Sequence, residues 1–343
     1  MAEIAEACGF QRFLIRHHAD GSSIGAKVRK RLGFYRDWQR ALRSMQDGSM
    51  LLLQFPFQDL YYFYPRYLEK AKKRGIRLVY LVHDVERLRG NYNSPRHEKE
   101  LEFLRRNADA VIVHDPVMRE YFVRELGMEP GKVITLGIFD YLCEEQTERE
   151  PESADIRNED KDSAGGNKFR NKIYIAGNLD TEKTGYLKHL PEIRGLQFEL
   201  YGVKCPEFLK QAENIHYNGV AEPEKLPDLL KGGFGLVWDG DSPDTCSGFF
   251  GEYLRYNSPH KLSLYLAAGI PVVIWEEAAQ AAFVKENGVG ITVSSLREAA
   301  GKIAAAEGQY GEMAESARKL AVQLREGYYT RLALKRAEEI CES

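Results

Sequence analysis

Between Trp238 and Trp275 the chain reads WDGDSPDTCSGFFGEYLRYNSPHKLSLYLAAGIPVVIW, and its chemistry-bearing residues crowd into that stretch. Carboxylates (Asp239, Asp241, Asp244), small hydroxyls (Ser242, Thr245, Ser247) and two glycines (Gly248, Gly251) precede Asn257-Ser258-Pro259-His260-Lys261. The spacing predicts a strand end, a polar loop, a helix opening near Pro259, a Gly turn and another strand. Proline suits the first turn of a helix, where its missing N–H would be unpaired in any case. The other N–H groups of that turn, together with the helix dipole, make an anion site, and Lys261 is placed to reach the same anion. An acid-rich loop beside a phosphate-binding helix describes a ligand with phosphate at one end and many hydroxyls at the other. A nucleotide-sugar has that form.

Asp239-Gly240-Asp241 supports two chemistries. A D-x-D pair suits a hard divalent cation bridging a diphosphate. Here, however, cation and helix would neutralise the same phosphate twice, which favours the acids as acceptors for sugar hydroxyls, with Thr245 and Ser247 beside them and no metal or other cofactor. Trp238 either walls the sugar face or belongs to the core. A second phosphate contact is offered by the Gly177-Asn178 turn, with Lys183 a few residues on. Sugar transfer needs a group to take the acceptor's proton; Asp84, in HDVERLRG, and Asp20, in HHADGSS, are the candidates. His83-Asp84 and His114-Asp115 are two HD pairs at strand ends, better suited to structural hydrogen bonds or proton transfer than to a metal. No G-x-G-x-x-G opens a helix after a strand and there is no P-loop, which argues against a dinucleotide oxidoreductase or a P-loop NTPase.

These residues need strands to carry them. FLIRHH, MLLLQF, IRLVYLVHD, AVIVHD and KVITLG read as short strands, with an amphipathic helix from Ile24 to Met45 carrying Val28, Leu32, Trp38 and Leu42, and another from Leu60 to Arg74. The pattern stops at an acidic stretch, about 146–170, too poor in apolar residues to order itself. It restarts with KIYIAGN, LQFELYG, IHYNG, GFGLVWDGD, IPVVIW and GITV. Alternating apolar strands and helices predict an α/β chain of two Rossmann-like domains with parallel sheets, over 1–145 and 171–325. The residues just after the strands then matter most, because such sheets bind ligands at their carboxyl ends.

At 343 residues with 43% hydrophobic content the chain can fill two cores. The N-terminus has neither the basic start nor the apolar core of a signal peptide, no apolar run is long enough to span a bilayer, and the five cysteines are odd in number and widely spaced. A cytoplasmic protein with reduced thiols is expected. The net charge of −3 hides an asymmetry: residues 1–140 hold 24 basic and 18 acidic side chains, a surplus of +6, leaving −9 on the rest. Such a basic half suits an anionic lipid surface at the inner face of the membrane or a phosphate-bearing acceptor; the plainer reading is a solvated surface. No nucleic-acid-binding module is present.

With WDGD, TCSG and PHK followed by SLYL in that order, and HDVERLRG, YIAGNL and SSIGAKVRK in support, the chain resembles bacterial β-1,6-galactofuranosyltransferases of O-antigen and related polysaccharide synthesis. More distantly it resembles the accessory glucosyltransferases of streptococcal serine-rich adhesins. The resemblance implies a GT-B fold, two Rossmann-like domains facing across a cleft, with a C-terminal helix (about 326–343) packing back on the first, and a tendency to form homo-oligomers. It implies UDP at Ser23, Gly177, Asn178, Tyr217, Asn257, Ser258 and Lys261, with Tyr217 near the uracil and Lys183 less directly matched. The donor sugar would lie at Trp238, Asp239, Asp241, Thr245 and Ser247. Because the WDGD–TCSG pattern belongs to the galactofuranosyl relatives, the implied donor is UDP-galactofuranose, and the implied acceptor is a glycan or lipid-linked oligosaccharide ending in an α-glucosyl unit. The E-x7-E pair of many retaining relatives is not met by Glu276 or Glu277, since Val284 and Lys285 fall at the offset; this favours inversion. The alternatives are a UDP-glucose-dependent enzyme, a metal-dependent transferase, a non-catalytic UDP-sugar-binding subunit and, more remotely, a UDP-sugar epimerase.

Overall fold

A computed structural model describes residues 1–15, 23–57, 64–90, 94–143 and 171–343. The chain divides into two compact units, one of Met1–Leu136 with Thr330–Ser343, the other of Gly137–Tyr329. Asp20 and the acidic stretch 146–170 lie outside the described residues.

The first unit contains α1 (Ala2–Ala7), α2 (Ile24–Ser44), β1 (Met50–Phe55), α3 (Tyr64–Lys73), β2 (Arg77–Val82), α4 (Pro95–Asn107), β3 (Ala110–Val113), α5 (Pro116–Glu120) and β4 (Val133–Thr135). Its strands form a parallel sheet in the order β1-β2-β3-β4. Helices cover both faces of the usual parallel sheet, so its inner strands carry continuous apolar runs. Accordingly Ala110–Val113 is buried throughout, while Met50–Phe55 at the edge is half-buried. Two of the helices start as the sequence requires: Ser94 caps α4 and Asp115 caps α5, each followed by proline at the first helical position.

One expectation for this unit fails, and another lies partly outside the described residues. Residues 13–15 of FLIRHH form no strand, and the rest of that segment is outside the described residues. The long helix forms, but Val28 and Leu32 do not face the core. Its buried residues are Phe34, Asp37, Trp38, Ala41 and Leu42, and Trp38 stacks on Tyr67 at 5.6 Å. The helix carries two apolar stripes, and periodicity alone does not say which one packs.

The second unit contains β5 (Lys172–Asn178), a 3-10 segment (Gly185–Glu192), β6 (Gln197–Val203), α6 (Glu207–Lys210), β7 (Ile215–Tyr217), α7 (Leu226–Leu229), β8 (Phe234–Val237), α8 (Gly248–Tyr253), α9 (His260–Ala267), β9 (Val272–Trp275), α10 (Ala281–Glu286), β10 (Gly290–Val293), α11 (Ala299–Ala305) and α12 (Tyr310–Glu326). The last helix, α13 (Tyr328–Glu342), runs on into the final residues of the first unit. Six parallel strands are ordered β10-β9-β8-β5-β6-β7. Ile138 belongs to this unit's core and Phe139 stacks on His260 at 4.7 Å.

The HD pair after β3 is structural. His114 Nε2 lies 3.0 Å from the Val82 carbonyl oxygen, and Asp115 accepts from the Met118 N–H at 2.9 Å. Both are buried. Burial pushes Asp115 up to about 7 against the pull of the Met118 and Val117 N–H groups. A carboxyl raised on folding contributes stability that is full below its unfolded value near 4 and is lost as pH rises through about 7. Asp115→Asn keeps a capping side chain and removes that titration. The variant should therefore gain thermal stability relative to the parent between pH 5 and pH 8, read as the difference in Tm at the two values. An unchanged difference would show that Asp115 does not titrate in this window.

Candidate active site

β5 comes first in the second sheet, yet it lies between β8 and β6. The chain runs one way through β6 and β7 and the other way through β8, β9 and β10, so strand order reverses between β5 and β8. Open α/β sheets bind ligands outside the carboxyl ends of the strands at such a point. Tyr174 pairs with Gly235, and continuing that register brings Gly177 level with Trp238 and Asn178 with Asp239. Two motifs about sixty residues apart in sequence thus meet at the switch point.

Helix α9 supplies the cation. Lys261 Nζ donates to the Trp238 carbonyl oxygen at 2.8 Å and to Asp239 Oδ2 at 3.0 Å. Both side chains are about a fifth to a quarter exposed. An ammonium has three N–H donors, and among the described residues these two bonds use two of them. Pro259 is the residue before the helix, one position earlier than the sequence predicts, and His260 opens it. The helix is fixed to the sheet by Tyr265, whose hydroxyl oxygen accepts from the Ala176 N–H at 2.9 Å. Tyr265 packs over Gly235 so closely that a Cβ there would come within 2.0 Å of its ring.

The acidic loop is folded tightly on itself. The Asp241 N–H donates to the Ser247 carbonyl oxygen at 3.2 Å, and the Ser247 N–H to the Thr245 carbonyl oxygen at 2.9 Å. A Cβ on Gly248 would meet the Asp241 carboxylate at 2.2 Å, and one on Gly251 would meet the Cys246 backbone at 2.4 Å. Asp244 is engaged by Arg297 at 2.7 Å, whereas Asp241 is exposed. Burial pushes the Cys246 thiol well up, which keeps it protonated and unsuited to nucleophilic attack. Trp238 is fully buried and its indole N–H donates to the Ser242 carbonyl oxygen. It is therefore a core residue and does not wall a sugar site.

The other predicted positions are placed as follows. Asn257 and Ser258 immediately precede Pro259 and α9. Ser258 is buried, and Asn257 Oδ1 is buried with no partner among the described residues. Asn178 Oδ1 accepts from the Asp180 N–H at 3.1 Å, in a turn that leaves Lys183 exposed. Tyr217 ends β7, two strands from β5 and so about 10 Å along the sheet. Its hydroxyl donates to the Gly202 carbonyl oxygen. In the first unit Ser23 caps α2, accepting from the Ala26 N–H at 3.2 Å. Asp84 follows β2 by two residues and accepts from Arg89 at 3.3 Å. The supporting residues Gly235 and Tyr265 were not singled out in the sequence. A lone glycine inside a strand pattern signals close approach of a neighbour, and GFGLVW carries that signal.

Comparison with known proteins shows the family and the fold. The family described as glucosyltransferase 3-like matches twice, its N-terminal domain over residues 1–138 and its C-terminal domain over 173–337. The chain is 32% identical over 296 residues to beta-1,6-galactofuranosyltransferase WbbI of Escherichia coli (strain K12), covering 84% of this chain and 79% of that protein. It is 28% identical over 329 residues to glucosyltransferase 3 of Streptococcus gordonii, covering 90% of each. Among solved structures it superposes on S. aureus TarM, in complex with UDP and sugar ligands, with a TM-score of 0.56 at 13% identity, over 90% of this chain and 58% of that one. It also superposes on WaaG, a glycosyltransferase involved in lipopolysaccharide biosynthesis, with a TM-score of 0.52 at 16% identity, over 95% and 85%. These structural likenesses show the fold, which is GT-B.

The packing of Tyr265 on Gly235 makes a direct prediction. Gly235→Ala should overpack this contact and cost about 1–3 kcal/mol of stability, seen as a lower denaturant midpoint. A midpoint equal to the parent's would mean that Tyr265 does not press on β8.

Proposed function

This chain belongs to the glucosyltransferase 3-like family of glycosyltransferases, and we propose that it transfers galactofuranose from UDP-galactofuranose to a hydroxyl of a glycan acceptor. On this reading the acceptor is an α-glucosyl unit, the linkage is β-1,6 and the anomeric centre is inverted, in surface polysaccharide synthesis. The observation that carries the proposal is Lys261, held at the switch point by the end of β8 with a donor to spare. The choice of galactofuranose rests on the 32% identity to WbbI.

The diphosphate lies against Gly177, the first turn of α9, Asn257 and Ser258, within reach of Lys261. Tyr217 stands at the uracil end, and Lys183 is an outer contact. Asp241, Thr245 and Ser247 face the sugar. Asp239 positions Lys261, and the cation that would otherwise bridge this carboxylate and the diphosphate is the ammonium itself, so the reaction runs without a metal. The acceptor hydroxyl attacks the anomeric carbon in line, its C–O bond forming as the bond to UDP breaks through an oxocarbenium-like state. The acceptor's proton goes to a carboxylate base, for which Asp84 is the described candidate. Negative charge develops on the leaving UDP, where the α9 N-terminus and Lys261 stabilise it.

The likeness to glucosyltransferase 3 of S. gordonii over 90% of both chains supports a second reading, with UDP-glucose as donor. Product mass after incubation with an alkyl α-glucoside and either UDP-galactofuranose or UDP-glucose, with and without EDTA, separates the two. One hexose added only from UDP-galactofuranose, undiminished in EDTA, is expected. Addition from UDP-glucose alone would establish the second reading. Addition abolished by EDTA would return the D-x-D acids to a metal. No addition under any condition would point to a different acceptor or a binding subunit.

A further inference from the structure

Helix α2 leaves an apolar stripe in solvent. Ile24, Val28, Leu32 and Tyr35 are 83%, 48%, 50% and 51% exposed. At 100° per residue their spacing confines them to an arc of about 80° on one side of the helix. No residue from 24 to 33 is buried, whereas Phe34, Trp38, Ala41 and Leu42 anchor the second half of the helix to its unit. The exposed charges of the helix are all basic. Lys27, Arg29, Arg31, Arg36, Arg40 and Arg43 are exposed, and the helix's one acid, Asp37, is buried on the side away from the stripe. Arg29, Arg36, Arg40 and Arg43 flank one edge of the stripe and Lys27 and Arg31 the other, as the same 100° increment dictates.

We propose that this face of α2 docks on an anionic lipid bilayer, lying in the interface with Ile24, Val28, Leu32 and Tyr35 among the acyl chains and the flanking cations at the phosphates. The charge decides the occupant. A second copy pairing along the same stripe would set two rows of cations against each other. An anionic bilayer offers an apolar layer for the stripe and negative headgroups for both flanks, and long basic side chains reach outward while their stems stay apolar. Among the described residues no helix is long and apolar enough to cross a membrane, so the contact is peripheral.

Co-sedimentation of the full chain with vesicles of phosphatidylcholine, with and without phosphatidylglycerol, tests this independently of donor and acceptor. The chain should pellet with the anionic vesicles and stay in solution with the neutral ones. Each cation near such a surface is worth about fivefold in partitioning, so Arg29→Gln/Arg36→Gln/Arg40→Gln should bind about two orders of magnitude more weakly. Val28→Ser/Leu32→Ser should release the chain at unchanged charge. All five positions are exposed, and an unchanged Tm confirms folding. Equal pelleting of parent and variants, or no pelleting with anionic vesicles, would overturn the proposal. So would a change in oligomeric state of the serine variant on gel filtration, because the stripe would then be a subunit interface.

Discussion

The switch point of the second sheet is organised around one ammonium group. Lys261 joins helix α9 to the end of β8 by two hydrogen bonds, one to the Trp238 backbone and one to the Asp239 carboxylate. A lysine carries about 2 kcal/mol of rotamer entropy, and here much of it is lost before any ligand arrives. The ion pair is also partly shielded from water, which makes it stronger than a surface pair. The cation therefore stands, already positioned, where strand order reverses.

The packing beneath it explains why α9 sits in reach. Gly235 lets the Tyr265 ring lie against β8, and the Tyr265 hydroxyl takes the Ala176 N–H two residues before Asn178. One helix is thereby tied to both strands of the switch point, by Lys261 to β8 and by Tyr265 to β5. The loop from Asp239 to Gly251 fills the remaining space, and its glycines are contact requirements. At Gly248 the neighbour is the Asp241 carboxylate, and at Gly240 it is the Ser247 carbonyl oxygen, 2.0 Å from where a Cβ would sit.

Much of this was legible in the sequence because parallel strands bury both faces and so appear as unbroken apolar runs. Ala110–Val113, Phe234–Val237 and Val272–Trp275 are of this kind, and each is buried along its whole length. What was not legible depends on partners distant in sequence. Asp239 faces Lys261, which no spacing rule specifies across a 22-residue gap. Trp238 turned out to be core because Trp275 packs against it at 6.5 Å. In α2 two apolar stripes share one helical period. Phe34 and Trp38 pack inward while Val28 and Leu32 do not, and only tertiary structure separates them.

The central claim is that Lys261, held by Asp239 at the switch point, receives the diphosphate of the donor. Calorimetric titration of UDP into the parent chain and into Lys261→Met tests it most directly, since methionine keeps the length of the side chain and removes the charge. A charge-assisted hydrogen bond is worth about 1.5–3 kcal/mol, so the Kd should rise roughly tenfold to a hundredfold in a variant that remains folded by circular dichroism. An unchanged Kd in the folded variant would contradict the account and move the diphosphate away from α9.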